Sequence, residues 1–329
     1  MLDRALGAIE AQLEDLGDRV QVCVSDNGSE DDTQAVLARH REILGEALTS
    51  YRFERNRGFT DNLLKAVEIA DGDFCWLMGS DDVIEPGGLA GVLELLDRHP
   101  DLSGITTNRR NVNVDEPDGD GLGDDPRVLP PPGRTGYDSA REVFEELAML
   151  QDYISTQIVS RTRWLAAVEA IGPAGVADGR NFPHLPIIGE MVRRHPRWHW
   201  HAEPVVRHRV GQQALPEEWG QDMVDYVARV TDDRARIWSA LFGRRSKLYR
   251  SVMRRMFITQ GNPSILLLYK QQRGQTVRHD VRLLATMARH YWFVRELWGL
   301  SGLVLLIPHQ LVPPSISVAL RLRTWRSGA

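Results

Sequence analysis

Phe74-Cys75-Trp76-Leu77-Met78-Gly79-Ser80-Asp81-Asp82 is an apolar run that stops at two adjacent carboxylates. Its length and composition predict a buried strand, with Gly79-Ser80 supplying the turn. Two acids at the C-terminal end of such a strand stand where open α/β sheets bind their ligands. Side by side they are costly unless something cationic neutralises them, and a hard divalent ion shared with phosphate oxygens is a usual solution. The same residues are also compatible with a solvated loop after a strand.

Upstream, Val20-Gln21-Val22-Cys23-Val24 alternates as a strand and runs into the turn formers Ser25-Asp26-Asn27-Gly28-Ser29, followed by Glu30-Asp31-Asp32-Thr33. A helix pattern follows through Ala35, Val36 and Leu37, so Asp26 also falls at a strand tip, and Asp31, Asp32 or Thr33 is placed to cap that helix. Between the two acidic tips lie a short strand at Tyr51-Arg52-Phe53, the turn Asn56-Arg57-Gly58-Phe59 and a helix from Asn62 to Ala70. Strand, helix, strand, helix, strand, each strand ending in polar residues, predicts a doubly wound nucleotide-binding half with its site along one sheet edge.

These segments resemble the family 2 glycosyltransferases of the GT-A fold. That family carries a strand ending in Val-Asp-x-Gly-Ser-x-Asp-x-Thr, paralleled by Val24 to Thr33, then Asn-x-Gly before a helix, paralleled by Asn56 and Gly58. Its metal-binding Asp-x-Asp, with a proline a few residues on, is paralleled by Asp81, Asp82 and Pro86. Trp76 to Asp82 and the later Tyr153-Ile154-Ser155 are similar to bacterial transferases that add dideoxyhexoses such as abequose to O-antigen. Two departures stand out. Family members open on a strand of the type Val-Ser-Ile-Val-Ile-Pro-Thr-Tyr-Asn, whereas Met1-Leu2-Asp3-Arg4-Ala5-Leu6 already follows a helix pattern. The expectation is either about twenty further residues ahead of Met1 or an impaired variant, with a sheet that lacks a central strand and exposes edges. The second departure is Gly79, which stands where many relatives place the first acid of the metal motif.

The resemblance implies an inverting, metal-dependent transfer of a sugar from a nucleotide-sugar donor to a glycan or lipid-linked saccharide, in cell-surface polysaccharide biosynthesis. It implies that Asp26 and Asn27 meet the nucleobase, that Asn56 and Gly58 shape the turn beside the nucleotide, and that Lys65 or Arg57 neutralises phosphate. Asp81 and Asp82 would hold Mg²⁺ or Mn²⁺, with Asp81 also reaching the ribose. An attacking hydroxyl needs a base within hydrogen-bond reach. Relatives place an acidic pair where this chain has Asn181-Phe182-Pro183-His184-Leu185-Pro186, so His184 is the first candidate, Asp178 the next and Glu190 the third. His184 equally suits a turn between prolines. His208, in Arg207-His208-Arg209, fits either the metal and diphosphate or plain surface. The absence of a Gln-x-x-Arg-Trp motif points to addition of single sugars. Two other classes stay open: a non-catalytic nucleotide-sugar-binding or scaffold protein, and a nucleotidyltransferase, although no Gly-rich phosphate loop precedes Asp26.

Apolar content of 42% and charged content of 26% over 329 residues are ordinary for a globular chain. Cys23 and Cys75 fall on predicted strands, and two cysteines without clustered histidines offer no zinc site. No leader precedes the first helix pattern, so the expected location is cytoplasmic, peripheral on the inner face of the plasma membrane. The net charge of −5 conceals an asymmetry: from Gln221 onward 18 Lys and Arg face 6 Asp and Glu, a balance of +12, which leaves −17 on residues 1–220. No nucleic-acid-binding module accompanies that charge. Leu297 to Leu320 carries no charge but is broken by Pro308, Pro313 and Pro314, against a straight spanning helix. Arg282, Arg289 and Arg295 beside Trp292, Phe293 and Trp298 suit a lipid interface, with docking on the catalytic domain or a dimer contact as alternatives. The expected organisation is a nucleotide-sugar-binding half (1–111), an acceptor-binding half (112–215) with a mobile loop at 112–136, and a basic helical region (216–329). A helix is expected over Tyr137–Leu150 and a strand carrying Ser155 over Tyr153–Val159.

Overall fold

The computed structural model describes residues 1–13, 16–113, 133–210, 223–260, 263–270 and 276–312. Its described residues form two compact units, one ending at Val210 and the other starting at Met223. The first unit opens with α1 (Leu2–Leu13), β1 (Val22–Asp26), α2 (Thr33–Leu44), β2 (Leu48–Arg52), α3 (Phe59–Glu68) and β3 (Phe74–Leu77), the expected alternation. Asp32 is the N-cap of α2 without a side-chain bond, and Asp31 just ahead of it braces the first residue, its Oδ1 accepting from the Thr33 main-chain N–H at 3.0 Å and the Thr33 hydroxyl at 2.5 Å. β1 and β2 pair in parallel from Val22 opposite Leu48 to Asp26 opposite Arg52. Leu6, Val22, Val36, Leu37 and Leu48 close a small core between this pair, α1 and α2. Each such side chain, fully buried, contributes roughly 1.5–3 kcal/mol.

The chain continues through β4 (Val83–Ile84), α4 (Gly88–Arg98), β5 (Gly104–Asn113), β6 (Gly136–Tyr137), α5 (Ala140–Leu147) and a 3-10 turn at Ile154–Thr156. β7 (Gln157–Ser160), α6 (Arg161–Ala177), α7 (His184–Arg194) and β8 (Trp198–Val210) complete the unit. The main sheet runs β3-β7-β5-β8-β4, with β6 on β8. Only β5 and β8 are parallel there, so this sheet is mixed. Val92, Leu95, Leu102, Ile105 and Ile158 form a second core beneath it.

The expected break in the sheet is present. Among the described residues β1 pairs only with β2, and β3 is the outer strand of the main sheet. Residues of both strands line one cavity of about 860 Å³. The β5–β8 ladder shifts register between Thr107 and Arg109, opposite His201 to Val206, and the Asn108 side chain bridges the irregularity by donating to Ala202 O at 2.9 Å. Such bulges re-aim side chains beside functional sites; here Arg109 is the residue that directly follows the irregularity.

Three expectations are corrected. Tyr137 is not helical: it pairs with Trp198 in β6, and the helix starts at Ala140. Ser155 lies on the 3-10 turn before β7, a turn held by the Thr156 and Gln157 side chains, which both donate to Tyr153 O, and the ladder begins only at Gln157. Of the loop at 112–136, Val112 belongs to β5 and Gly136 to β6, while 114–132 lie outside the described residues.

The second unit is helical: α8 (Met223–Phe242), α9 (Lys247–Gln260), α10 (Pro263–Lys270), α11 (Val277–Tyr291), a 3-10 turn at Arg295–Trp298 and α12 (Leu300–Leu306). Trp238, Tyr249, Met253, Phe257, Leu283 and Tyr291 are buried within it. No described helix is long and apolar enough to cross a membrane.

Candidate functional site

Two strand tips, those of β1 and β3, meet at the cavity, which Asp26, Asn27, Gly79, Ser80 and Asp81 all line. At the β1 tip the carboxylate of Asp26 is buried. Its Oδ1 accepts the Ser29 N–H at 2.8 Å, and its Oδ2 takes the Gln34 amide at 2.6 Å and the Arg52 guanidinium at 3.3 Å. Both oxygens therefore have partners inside the protein, and Asp26 braces the loop while lining the cavity. Asn27 donates to Asn56 Oδ1 at 2.8 Å and Gly58 O at 3.2 Å and accepts from the Arg57 N–H at 2.8 Å, so it zips the β1 tip to the turn before α3. Gly58 closes that turn at φ 87°. Gly28 is required by close approach: at φ +76°, a Cβ there would stand 2.8 Å from the main-chain carbonyl carbon of Arg55.

Neither basic candidate for phosphate is presented freely. Lys65 pairs with Glu68 at 2.6 Å and covers the Tyr51 ring at 4.8 Å, while Arg57 pairs with Asp61 at 3.3 Å.

At the β3 tip, Ser155 holds the turn from both sides: its hydroxyl accepts the Gly79 N–H at 2.9 Å and its carbonyl accepts the Trp76 indole N–H at 2.8 Å. A Cβ at Gly79 would come within 2.8 Å of Asp81 Oδ1 and 3.5 Å of Asp82 Oδ2. The two carboxylates fold back over residue 79, in the space that a side chain there would take. Asp82 is 2% exposed. The Tyr153 phenol donates to its Oδ2 at 2.5 Å, and His208 Nδ1 lies 3.2 Å from its Oδ1 and against the same phenol oxygen. The Arg109 guanidinium lies over the Tyr153 ring, 3.8 Å from its centroid.

This cluster has a consistent electrostatic logic. Burial, and then the neighbouring Asp82 carboxylate, push the Tyr153 phenol far above its ordinary pKa, so it remains a donor. Burial also pushes Arg109 below its ordinary value, opposed by Asp152, Tyr153 and Asp82. The four side chains come from the β3–β4 turn, β5, the 3-10 turn region and β8, which explains why no local motif contains them. His208 was placed among the sequence candidates; Tyr153 and Arg109 were not assigned roles. The adjacent pair Arg109-Arg110, following the apolar and hydroxyl-bearing Ile105-Thr106-Thr107, is the one signal that points toward Arg109, and it does not single it out from Arg110.

The three candidate bases lie elsewhere. His184 is 2% exposed at the start of α7, and its Nε2–H donates to Gln151 O at 3.0 Å. Burial lowers its pKa to about 4, so it is neutral, but it shows no open face to an incoming hydroxyl. It instead anchors the main chain just ahead of Tyr153. The neighbouring Gln151 amide is buried with neither end paired among the described residues. Asp178 is exposed at the end of α6. Glu190 is buried on α7; burial raises its pKa, but bonds from Arg193 at 2.9 Å and Arg194 at 2.5 Å outweigh that and leave it lowered. Glu190 and His184 are thus buried and bonded within the protein, while Asp178 is exposed.

Comparison with known proteins gives a consistent picture. The family model described as "Glycosyl transferase family 2" matches residues 1–167, just over half of the chain. The abequosyltransferase RfbV of Salmonella typhimurium is 26% identical over 175 residues, covering 50% of this chain and 50% of that protein. The chain thus spans about half the length of the curated relative it matches. Among solved structures, S. aureus TarS 1-349 in complex with UDP-GlcNAc is similar with a TM-score of 0.55 at 14% identity, over 98% of this chain and 88% of that one. A longer S. aureus TarS structure gives 0.55 and 14% over 99% of this chain and 51% of that chain. At that identity the likeness is one of fold.

Proposed function

The chain belongs to glycosyl transferase family 2, and from that premise we propose that it moves single sugars from a nucleotide-sugar donor onto a glycan or lipid-linked saccharide, inverting the anomeric carbon, with a divalent cation at Asp81 and Asp82. The observation that carries this reading is Asp82: a buried carboxylate braced by Tyr153 and His208, next in the chain to Asp81, which lines the cavity. Burying a charge without a cationic partner is costly, so a carboxylate so carefully oriented belongs to a charge-binding site.

Two carboxylates and one imidazole form an oxygen-rich donor set that suits Mg²⁺ or Mn²⁺. Among the described residues no three such side chains already converge on one centre, so what supports the ion is the chemistry of the donors. When bound, it supplies Lewis acidity toward the departing diphosphate. The zipped loops at Asn27 and Asn56–Gly58 form the wall against which the nucleoside lies. Tyr153 keeps Asp82 oriented, as partners of metal ligands generally do. Arg109 places a fixed positive charge behind the phenol, where negative charge gathers as the sugar departs.

Asp152, one residue before Tyr153, adds its negative charge to that of Asp82 beside Arg109. His184 positions it through the Gln151 carbonyl. RfbV is an abequosyltransferase, and a deoxyhexose donor is the corresponding expectation here.

Calorimetric titration of UDP, CDP, GDP and dTDP, with and without Mn²⁺, into the wild type and Asp82→Ala tests the reading. Metal-dependent binding of one nucleotide, lost in the variant, supports it. Metal-independent binding that survives Asp82→Ala removes the metal assignment. Metal-dependent donor binding with no turnover on any saccharide leaves a nucleotide-sugar-binding protein.

A further inference from the structure

Exposed apolar side chains are not spread evenly over this molecule. Of the fifteen exposed large hydrophobic side chains among the described residues, seven fall between Trp292 and Leu311: Trp292, Trp298, Leu300, Leu303, Leu306, Ile307 and Leu311. α12 shows how they are held. Ser301, Val304 and Leu305 face inward and are buried, while Leu303 and Leu306, at 62% and 67% exposure, stand on its outer side. A helix apolar on both faces is not complete in water.

The outward pose is fixed from within. The Lys270 ammonium, its side chain 1% exposed, donates to Ile307 O at 2.7 Å and Leu305 O at 3.1 Å at the C-terminal end of α12. Asp280 pairs with Lys270 at 2.8 Å and accepts from the His309 N–H at 2.9 Å. A cation at a helix C-terminus is favourable, and here it locks the segment down. Trp298, 64% exposed, gives its indole N–H to Trp292 O at 2.7 Å, so its polar edge is satisfied and its ring is free.

Arginines border the apolar side chains. Arg250 lies 5.9 Å from the Phe293 ring, Arg254 pairs with Glu296, and Arg244 donates to Arg289 O at 3.4 Å. Arg244, Arg250, Arg254, Arg289 and Arg295 are exposed. We infer that Trp292–Leu311, with this arginine border, is a docking surface for an anionic lipid bilayer, the leucines and tryptophans entering the acyl–headgroup boundary and the arginines meeting lipid phosphates. Charge decides the occupant: a second copy placed symmetrically would set arginine border against arginine border.

Flotation of the full chain with lipid vesicles tests this without any sugar donor, and so independently of the transferase reading. Wild type binds vesicles of about one-third phosphatidylglycerol at least tenfold more tightly than pure phosphatidylcholine, and high salt reduces the difference. Leu303→Glu and, separately, Trp298→Ala weaken that binding about tenfold with the unfolding midpoint unchanged. Arg250→Glu with Arg254→Glu removes the preference for phosphatidylglycerol. Wild type that stays with the soluble fraction, or binding that Leu303→Glu leaves intact, overturns the inference. A concentration-dependent dimer abolished by Leu303→Glu, without vesicle binding, overturns it in favour of self-association.

Discussion

His184→Gln separates a buried positioning histidine from a catalytic one. In the folded protein His184 titrates at about 4, against an ordinary value of 6.5, because burial disfavours the imidazolium. Between those two pH values the unfolded chain binds a proton that the folded chain refuses. The contribution of neutral His184 to stability is therefore complete above 6.5 and is lost as pH falls toward 4. At about 1.4 kcal/mol per pKa unit, the loss reaches about 2.5 kcal/mol by roughly pH 4.5. Glutamine keeps an N–H for Gln151 O but does not titrate, so it removes the linkage and preserves the contact. Urea unfolding of both proteins from neutral pH down gives the stability difference, wild type minus variant. It should fall by about 2.5 kcal/mol over that range, while activity near neutral pH changes by less than about tenfold. A difference that stays flat within about 0.5 kcal/mol would refute the buried, neutral histidine. Activity lowered more than about a hundredfold would return His184 to the role of base.

Tyr153→Phe removes the phenol that donates to Asp82 Oδ2, a charge-assisted bond of about 1.5–3 kcal/mol, and should weaken metal-dependent nucleotide binding 10- to 100-fold (roughly) as measured by calorimetry, with the fold kept. Gly28→Ala places a Cβ against the Arg55 main chain at positive φ and should destabilise the protein by about 1–3 kcal/mol, seen as a lowered urea midpoint; an unchanged midpoint would mean the loop relaxes freely. Lys270→Met leaves the α12 carbonyls and Asp280 without their buried cation and should cost about 3 kcal/mol of stability; a smaller loss than about 1 kcal/mol would show that water replaces the ammonium.

What could be read from the sequence was whatever is local. The alternation through Val22–Val24 and the apolar run from Phe74 gave β1 and β3, and their acidic tips do meet at one cavity. The turn chemistry around Gly28 and Gly58 was equally visible. The direction of individual side chains was not. Asp26 reads as an acid at a strand tip, but that an arginine from β2 and an amide from α2 close around it is visible only in the fold. Tyr153 and His208 are 71 and 126 residues from Asp82 along the chain, and it is the β4–β8 pairing of Val83 with Arg207 and the 3-10 turn after Tyr153 that bring them together. Ser155 and Thr156 were misread as strand because hydroxyl side chains beside β-branched ones mimic strand composition while bonding local main chain instead.

The divided sheet has a thermodynamic consequence. No strand ladder joins the β1–β2 pair to the main sheet among the described residues; the two pieces are tied by packing of α1 on β4 and α4, and of α3 on α6. Such a piece is a separate cooperative element, and its amide protons should exchange through a partial opening, well before those of β5 and β8. A donor seated in the cavity touches both pieces at once, and binding only the closed form draws the equilibrium toward it by mass action. A nucleotide seated there would act as a suture between the two pieces, and the protection it conferred on β1 and β2 amides would report occupancy without any measurement of turnover.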